Sequence, residues 1–213
     1  VPFNGHMTII YGKDGDEYLV SDPIYDHPTR ISRDDLQKAR FAQGPNEPRG
    51  FIFYPEHVPV TVDYRKAIQK AVRRSATMML QPMFPYYGIL GIKSFARAVR
   101  RLQRKNDKRY VRTFLSNIFL FQEEIGTGGG GFRYMYAAFL REAYNLLNIA
   151  ELLEASKKMI EAGDAWRRAA ALSARFIQKR EDAPDFENMA NMYLQCARVE
   201  KNIYVMLKKI KWK

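Results

Sequence analysis

The sequence predicts an α+β protein, with a β-rich piece of about sixty residues followed by an all-helical region. Three observations carry that reading. Near the N-terminus "MTIIY" and "EYLV" are β-branched and aromatic runs separated by turn residues, the signature of a hairpin. From Asp63 onward apolar residues recur at helical spacing. Between the two, "PEHVPVTV" (55–62) is an extended connector, because the residue before each proline is pushed out of the helical region. The division is therefore expected at 1–62 and 63–213.

Within the first piece, the turn signal "GKDGD" joins the two hairpin strands. "SRDDLQKARFA" opens with Ser32 at an N-cap position and acidic residues in the first turn, a helix start. "QGPNEPRG" is a loop, and "GFIFY" is a further strand candidate. In the second piece the spacing of Ala67, Ile68, Ala71, Val72, Met78 and Met79 predicts a helix ending before Pro82. Helices follow over 87–105, 109–125 and 132–148, then one long or two consecutive helices over 149–180. A last helix covers 185–210, with Pro184 or Asp185 near its start.

At 213 residues with 46% hydrophobic and 13% aromatic content, the chain suits one large domain or two small ones with a real core. No apolar run approaches the length of a membrane span. A chain that starts at Val1 reads as a trimmed or processed piece. A single cysteine, Cys196, excludes a disulfide framework and any cysteine-based metal cluster, and a reducing, cytoplasmic setting is the natural reading. The net charge of +12 favours an acidic partner. Much of it sits in residues 97–112, with eight basic residues and one acidic: Arg97, Arg100, Arg101, Arg104, Lys105, Lys108, Arg109 and Arg112. No stacking motif or groove-reading helix accompanies this charge, which argues against nucleic acid.

The hairpin raises the chemical question. His6 opens one strand and Asp22 closes the next. A three-residue Lys13-Asp14-Gly15 loop with a bulge would set them opposite each other on one face. A two-residue Asp14-Gly15 turn would send them to opposite faces. Both turns suit "DG", and the sequence leaves both open. A carboxylate facing a histidine can hold one imidazole tautomer and stabilise the imidazolium; the plain alternative is a half-buried histidine and an Asp-Pro turn.

"GHMTIIYGKDGDEYLVSDP", followed by "RISRDDLQKAR", resembles the C-terminal half of papain-like cysteine enzymes. The segment "GGGFRYMYAAFLREA" (129–143) behind it resembles the helical domain of the butirosin biosynthesis protein H family. The resemblance covers nearly the whole chain. It implies an acyltransferase that moves an acyl group from an acyl carrier protein thioester to a small-molecule amine, in secondary-metabolite or lipid-like biosynthesis in bacteria. His6 would be the general base and Asp22 its partner, with the cysteine nucleophile lying upstream of Val1. The basic stretch 97–112 would then dock the acidic carrier protein. A papain-like peptidase and a non-catalytic scaffold for an acidic partner are the rival readings, and a homo-oligomer is compatible with either.

Other nucleophiles and sites fare worse. Cys196 lies on an apolar helix side and reads as core. Thr8 shares a strand face with His6 without a nucleophile elbow. "GTGGGG" (126–131) satisfies G-x-G-x-x-G in letters, but a helix rather than a strand precedes it. Gly128, Gly129, Gly130 and Gly131 instead read as a connector that lets another backbone or a ligand approach closely. Arg133, in the following first turn, could hold an anion or carbonyl. His6, His27 and His57 have no metal-ligand spacing, and no cofactor is implied.

Overall fold

The structure is a computed structural model that describes residues 6–44, 47–124, 128–178 and 184–212. Pro45 and Asn46 of the expected loop, Gly126 and Thr127 of the glycine run, and Lys179 and Arg180 at the end of the long helix lie outside the described residues, as does Ile125. The fold is α+β. The chain divides into two compact units, Val1–Val60 and Thr61–Lys213.

In the first unit, strands β1 (Ile9–Asp14), β2 (Glu17–Ser21) and β3 (Thr29–Ser32) form an antiparallel sheet in the order β1-β2-β3. β3 is not among the expected strands. Four residues between an Asp-His-Pro turn and a helix cap are too short to show a period, and their pairing with β2 makes them a strand. Arg30 ties β3 across the sheet to Asp14 at 2.8 Å and Glu17 at 3.5 Å. Helix α1 (Arg33–Arg40) starts where expected, with the Ser32 hydroxyl accepting from the Asp35 N–H. The expected strand at Phe51–Tyr54 does not form. These residues have no neighbouring strand among the described residues, and strand geometry exists only in a ladder.

The second unit holds six α-helices among the described residues. They are α2 (Tyr64–Leu80), α3 (Gly88–Arg101), α4 (Lys108–Phe119), α5 (Arg133–Leu147), α6 (Ala150–Ile177) and α7 (Phe186–Lys208). Asp63, Asp107 and Asp185 cap α2, α4 and α7, each accepting a backbone N–H three residues on. The expected third helix ends early. After Phe119 one π-turn, Leu120–Glu124, replaces the α-helix, and such turns shift the facing of the residues that follow.

Two long helices form the centre. In α6 the seam Leu152, Ala155, Met159, Ala162, Trp166, Ala169 repeats at alternating three- and four-residue steps. In α7 the seam Met189, Tyr193, Cys196, Glu200, Ile203, Leu207 does the same. That spacing keeps one stripe facing the neighbours along the whole helix. The small residues of α6 let α5 and α7 approach closely; α7 also packs on α2 and α3.

Candidate functional site

The hairpin resolves its register in a way that neither expected turn anticipates. The loop is the two-residue Gly15-Asp16, because Asp14 pairs with Glu17 and Lys13 with Tyr18. Gly15 has φ +59°, as the first position of a type II′ turn requires. Continued straight, this register would put His6 and Asp22 on opposite faces. A bulge at Tyr11 intervenes. Gly12 pairs with Leu19, but Ile10 pairs with Val20, so one residue is inserted into β1. The insertion flips every residue before it to the other face. His6, Thr8 and Ile10 thereby share a face with Val20 and Asp22.

His6 and Asp22 meet as a diagonal pair on that face, not as direct opposites. The His6 Nε2–H donates to Asp22 Oδ2 at 2.8 Å. Asp22 itself is anchored by the turn that the Asp-Pro sequence makes. The Tyr25 N–H donates to the Asp22 carbonyl at 3.1 Å, and the Ile24 N–H to Asp22 Oδ1 at 2.9 Å. One carboxylate oxygen is thus held by the backbone and the other aims at the imidazole. The Ile24 N–H, then the His6 hydrogen bond, hold the Asp22 carboxyl below its ordinary value. The pair is only partly open: the Asp22 side chain is 13% exposed and that of His6 36%.

A second pair shows what an unsupported contact looks like. His27 Nδ1 lies 2.6 Å from Asp26 Oδ1, between adjacent residues, and Asp26 is 96% exposed. No element holds either partner at a set angle. His57 lies in exposed, irregular chain.

With Nε2–H committed to Asp22, Nδ1 of His6 is the nitrogen left to accept a proton. The one cysteine of the chain does not supply the donor. Cys196 is fully buried in α7, and burial pushes its thiol up to about 12. Such a thiol is inert packing.

The glycine loop is used by the chain itself. Gly128, Gly129, Gly130 and Gly131 all have positive φ, and Phe132 follows at φ +71°. A Cβ on Gly130 would lie 3.1 Å from the Gly163 backbone of α6, so the loop lies directly on that helix. The Gly130 N–H donates to Glu123 Oε1 at 3.2 Å, and Arg167 reaches Glu123 Oε2 at 3.2 Å. A Cβ on Gly129 would collide with the Arg167 guanidinium.

Arg133, expected as a place for a ligand anion or carbonyl, is bonded within the chain to Glu200 and to the Gly131 carbonyl. Two parallel hydrogen bonds of 2.9 and 3.0 Å join the guanidinium to a carboxylate that is 0% exposed. The Trp166 indole N–H donates to the same carboxylate, and Arg133 stacks 4.1 Å from the Trp166 ring. The sequence signal for this network is one charged residue, Glu200, on an otherwise apolar helix stripe.

The basic stretch also divides. Arg100 forks onto Glu187 at 2.7 Å through each of two nitrogens and reaches Asn191 at 3.1 Å. Arg112 donates to the Ile177 carbonyl and stacks on Phe176. Arg97 bonds Ser94, and Lys105 lies over the Tyr110 ring. Arg101, Arg104, Lys108 and Arg109 are exposed and carry no ion pair among the described residues. No group of three or more His, Cys, Asp or Glu among the described residues is placed to hold a metal ion.

The fold and these contacts define an α+β protein in which a bulged hairpin carries an anchored His–Asp pair and a helical unit is closed around a buried ion pair. The chain belongs to the family described as a domain of unknown function (DUF4872), whose model matches residues 34–207. The match includes the glycine loop, Arg133 and the basic stretch, and begins after the hairpin. No curated protein matches the chain. No helix among the described residues is long and apolar enough to cross a membrane.

Proposed function

We propose that the hairpin is the base-and-orienter part of a papain-like acyltransferase site, which moves an acyl group from a carrier-protein thioester to an amine. The observation that carries this reading is the His6 Nε2–Asp22 Oδ2 contact of 2.8 Å, with Asp22 anchored by the Ile24 N–H. Such a pair fixes the imidazole tautomer and stabilises the imidazolium that forms during proton transfer. The nucleophile of this reading is a cysteine from outside the 213 residues, since Cys196 is buried.

The steps balance with one histidine. The cysteine thiolate attacks the thioester carbonyl, and the carrier thiol leaves with a proton from the His6 imidazolium. The amine then attacks the acyl-cysteine, His6 Nδ1 takes the amine proton, and the cysteine thiolate is released. The exposed cations Arg101, Arg104, Lys108 and Arg109 support an acidic carrier protein as the donor.

The test is acyl transfer by the intact gene product, with the acyl-enzyme trapped and its site read by mass spectrometry. His6→Ala should slow transfer on the order of a hundredfold or more with the fold unchanged. A fully active His6→Ala protein would refute the base assignment. Hydrolysis of peptides in place of transfer to amines would return the same pair to a peptidase. Absence of both activities would leave a binding protein.

A further inference from the structure

The turn between α2 and α3 is an apolar point on the most cationic part of the chain. Residues 61–122 hold fourteen basic residues and two acidic ones. Both acids, Asp63 and Asp107, are helix caps whose carboxylates face backbone N–H groups. At the α2–α3 turn of this basic stretch Met83, Phe84, Tyr86 and Tyr87 are exposed, Met83 at 90% and Tyr86 at 80%. Met78 and Leu90, at the flanking helix ends, are exposed beside them.

This turn is built to hold those side chains outward. Gly88 has φ +56°, and a Cβ there would lie 2.5 Å from the Met79 carbonyl. A Cβ on Gly91 would collide with the Tyr86 carbonyl, so the loop backbone is seated directly on the first turn of α3. The Tyr87 N–H donates to the Phe84 carbonyl at 3.2 Å, and the Ser94 hydroxyl to the Pro85 carbonyl at 3.4 Å. Arg97 donates to that same Ser94 oxygen at 2.9 Å, which brings a cation to the base of the turn. Lys93, one residue before Ser94, is exposed.

A cluster of exposed apolar side chains in water is unfavourable and marks an interaction site. A protein partner would need a pocket matched to four large side chains standing proud of the body. The lipid interface takes the shape of what enters it, and it favours rings with one apolar and one polar end, together with nearby cations over lipid phosphates. We propose that the α2–α3 turn is a peripheral anchor for an anionic lipid surface. Met83, Phe84, Tyr86 and Tyr87 enter the interface, and Lys93 and Arg97 meet the headgroup phosphates. The inference does not rest on the acyl-transfer reading.

Flotation of the full chain with vesicles tests it. Vesicles of equal parts phosphatidylcholine and phosphatidylglycerol should carry the protein, and pure phosphatidylcholine vesicles should carry far less. Replacing Phe84, Tyr86 and Tyr87 by Ser should weaken binding by about tenfold or more, as should Lys93→Glu with Arg97→Glu. Phe84, Tyr86 and Tyr87 are exposed, so the thermal unfolding of the Ser variant should match that of the parent. A Tyr86→Trp protein should gain emission that brominated lipids quench, which a merely electrostatic contact would not produce. The proposal is overturned by an unchanged affinity in the Ser variant, by unquenched emission from the introduced indole, or by no binding to anionic vesicles. Binding to soluble polyglutamate that equals vesicle binding and ignores the Ser substitutions would also overturn it, and would point to an acidic protein.

Discussion

Glu200 and Asp22 show opposite ways to hold a carboxylate. Glu200 is fully removed from water and kept by Arg133 and the Trp166 N–H. Breaking such a pair from one side strands a buried charge, so Arg133→Met should cost roughly 3–5 kcal/mol by denaturant unfolding. Adding Glu200→Leu to Arg133→Met should recover much of that loss, because the lone charge goes with it. Asp22 sits near the surface and is held by the Ile24 N–H and His6, which keep its carboxyl below the ordinary value of 3.8. A lowered carboxylate contributes stability that is present above its ordinary value and lost as pH falls through the lowered one. The Ile24 amide proton should therefore report a titration with its midpoint below 3.8 by NMR. In a His6→Ala protein that midpoint should rise, since one of the two stabilising hydrogen bonds is gone.

The bulge at Tyr11 decides the geometry of the hairpin. With the Gly15-Asp16 loop and the bulge kept, deleting Ile9 should shift the start of β1 by one residue and send His6 to the face opposite Asp22, whereas deleting the unpaired Tyr11 should leave the Ile10–Val20 pairing and the facing of His6 unchanged. The expected results of the Ile9 deletion are an Ile24 amide titration shifted towards the ordinary carboxylate value and loss of acyl transfer in the intact protein. An Ile9 deletion that keeps both would show that the contact does not depend on the strand register. In the helical unit the comparable element is the glycine loop on α6. A Cβ at Gly163 would come within 2.8 Å of the Tyr134 ring. Gly163→Ala should therefore cost about 1–3 kcal/mol in thermal or denaturant unfolding, in spite of the better helix propensity of alanine.

Across the molecule, charge is unevenly shared. Residues 1–60 carry six basic and nine acidic residues, whereas residues 61–213 carry 29 and 14. Reversing Arg101, Arg104, Lys108 and Arg109 should weaken binding to an acidic carrier protein and flatten its salt dependence, read by titration at two ionic strengths. Reversing Arg100 belongs to a different class. It breaks the fork to Glu187 that joins α3 to α7, so its first effect should be on stability rather than on binding. A carrier affinity that ignores the four exposed cations would make that stretch a solvated face.

What the sequence determined by itself is everything written in short-range chemistry. The caps at Ser32, Asp63, Asp107 and Asp185 act through backbone groups three residues away. The helical periods and the extended connector near 55–62 depend only on neighbours and on proline sterics. His6, Asp22 and Arg133 stand out as residue types in their local setting. What only the tertiary structure decided is who faces whom. The parity of His6 and Asp22 turns on one inserted residue, Tyr11, whose bulge no local pattern announces. "FIFY" has the composition of a strand but no ladder to join among the described residues. The anion for Arg133 comes from a residue 67 positions away, on another helix. Periodicity is a property of neighbours along the chain, whereas pairing partners are chosen by packing, which brings distant residues within hydrogen-bond reach.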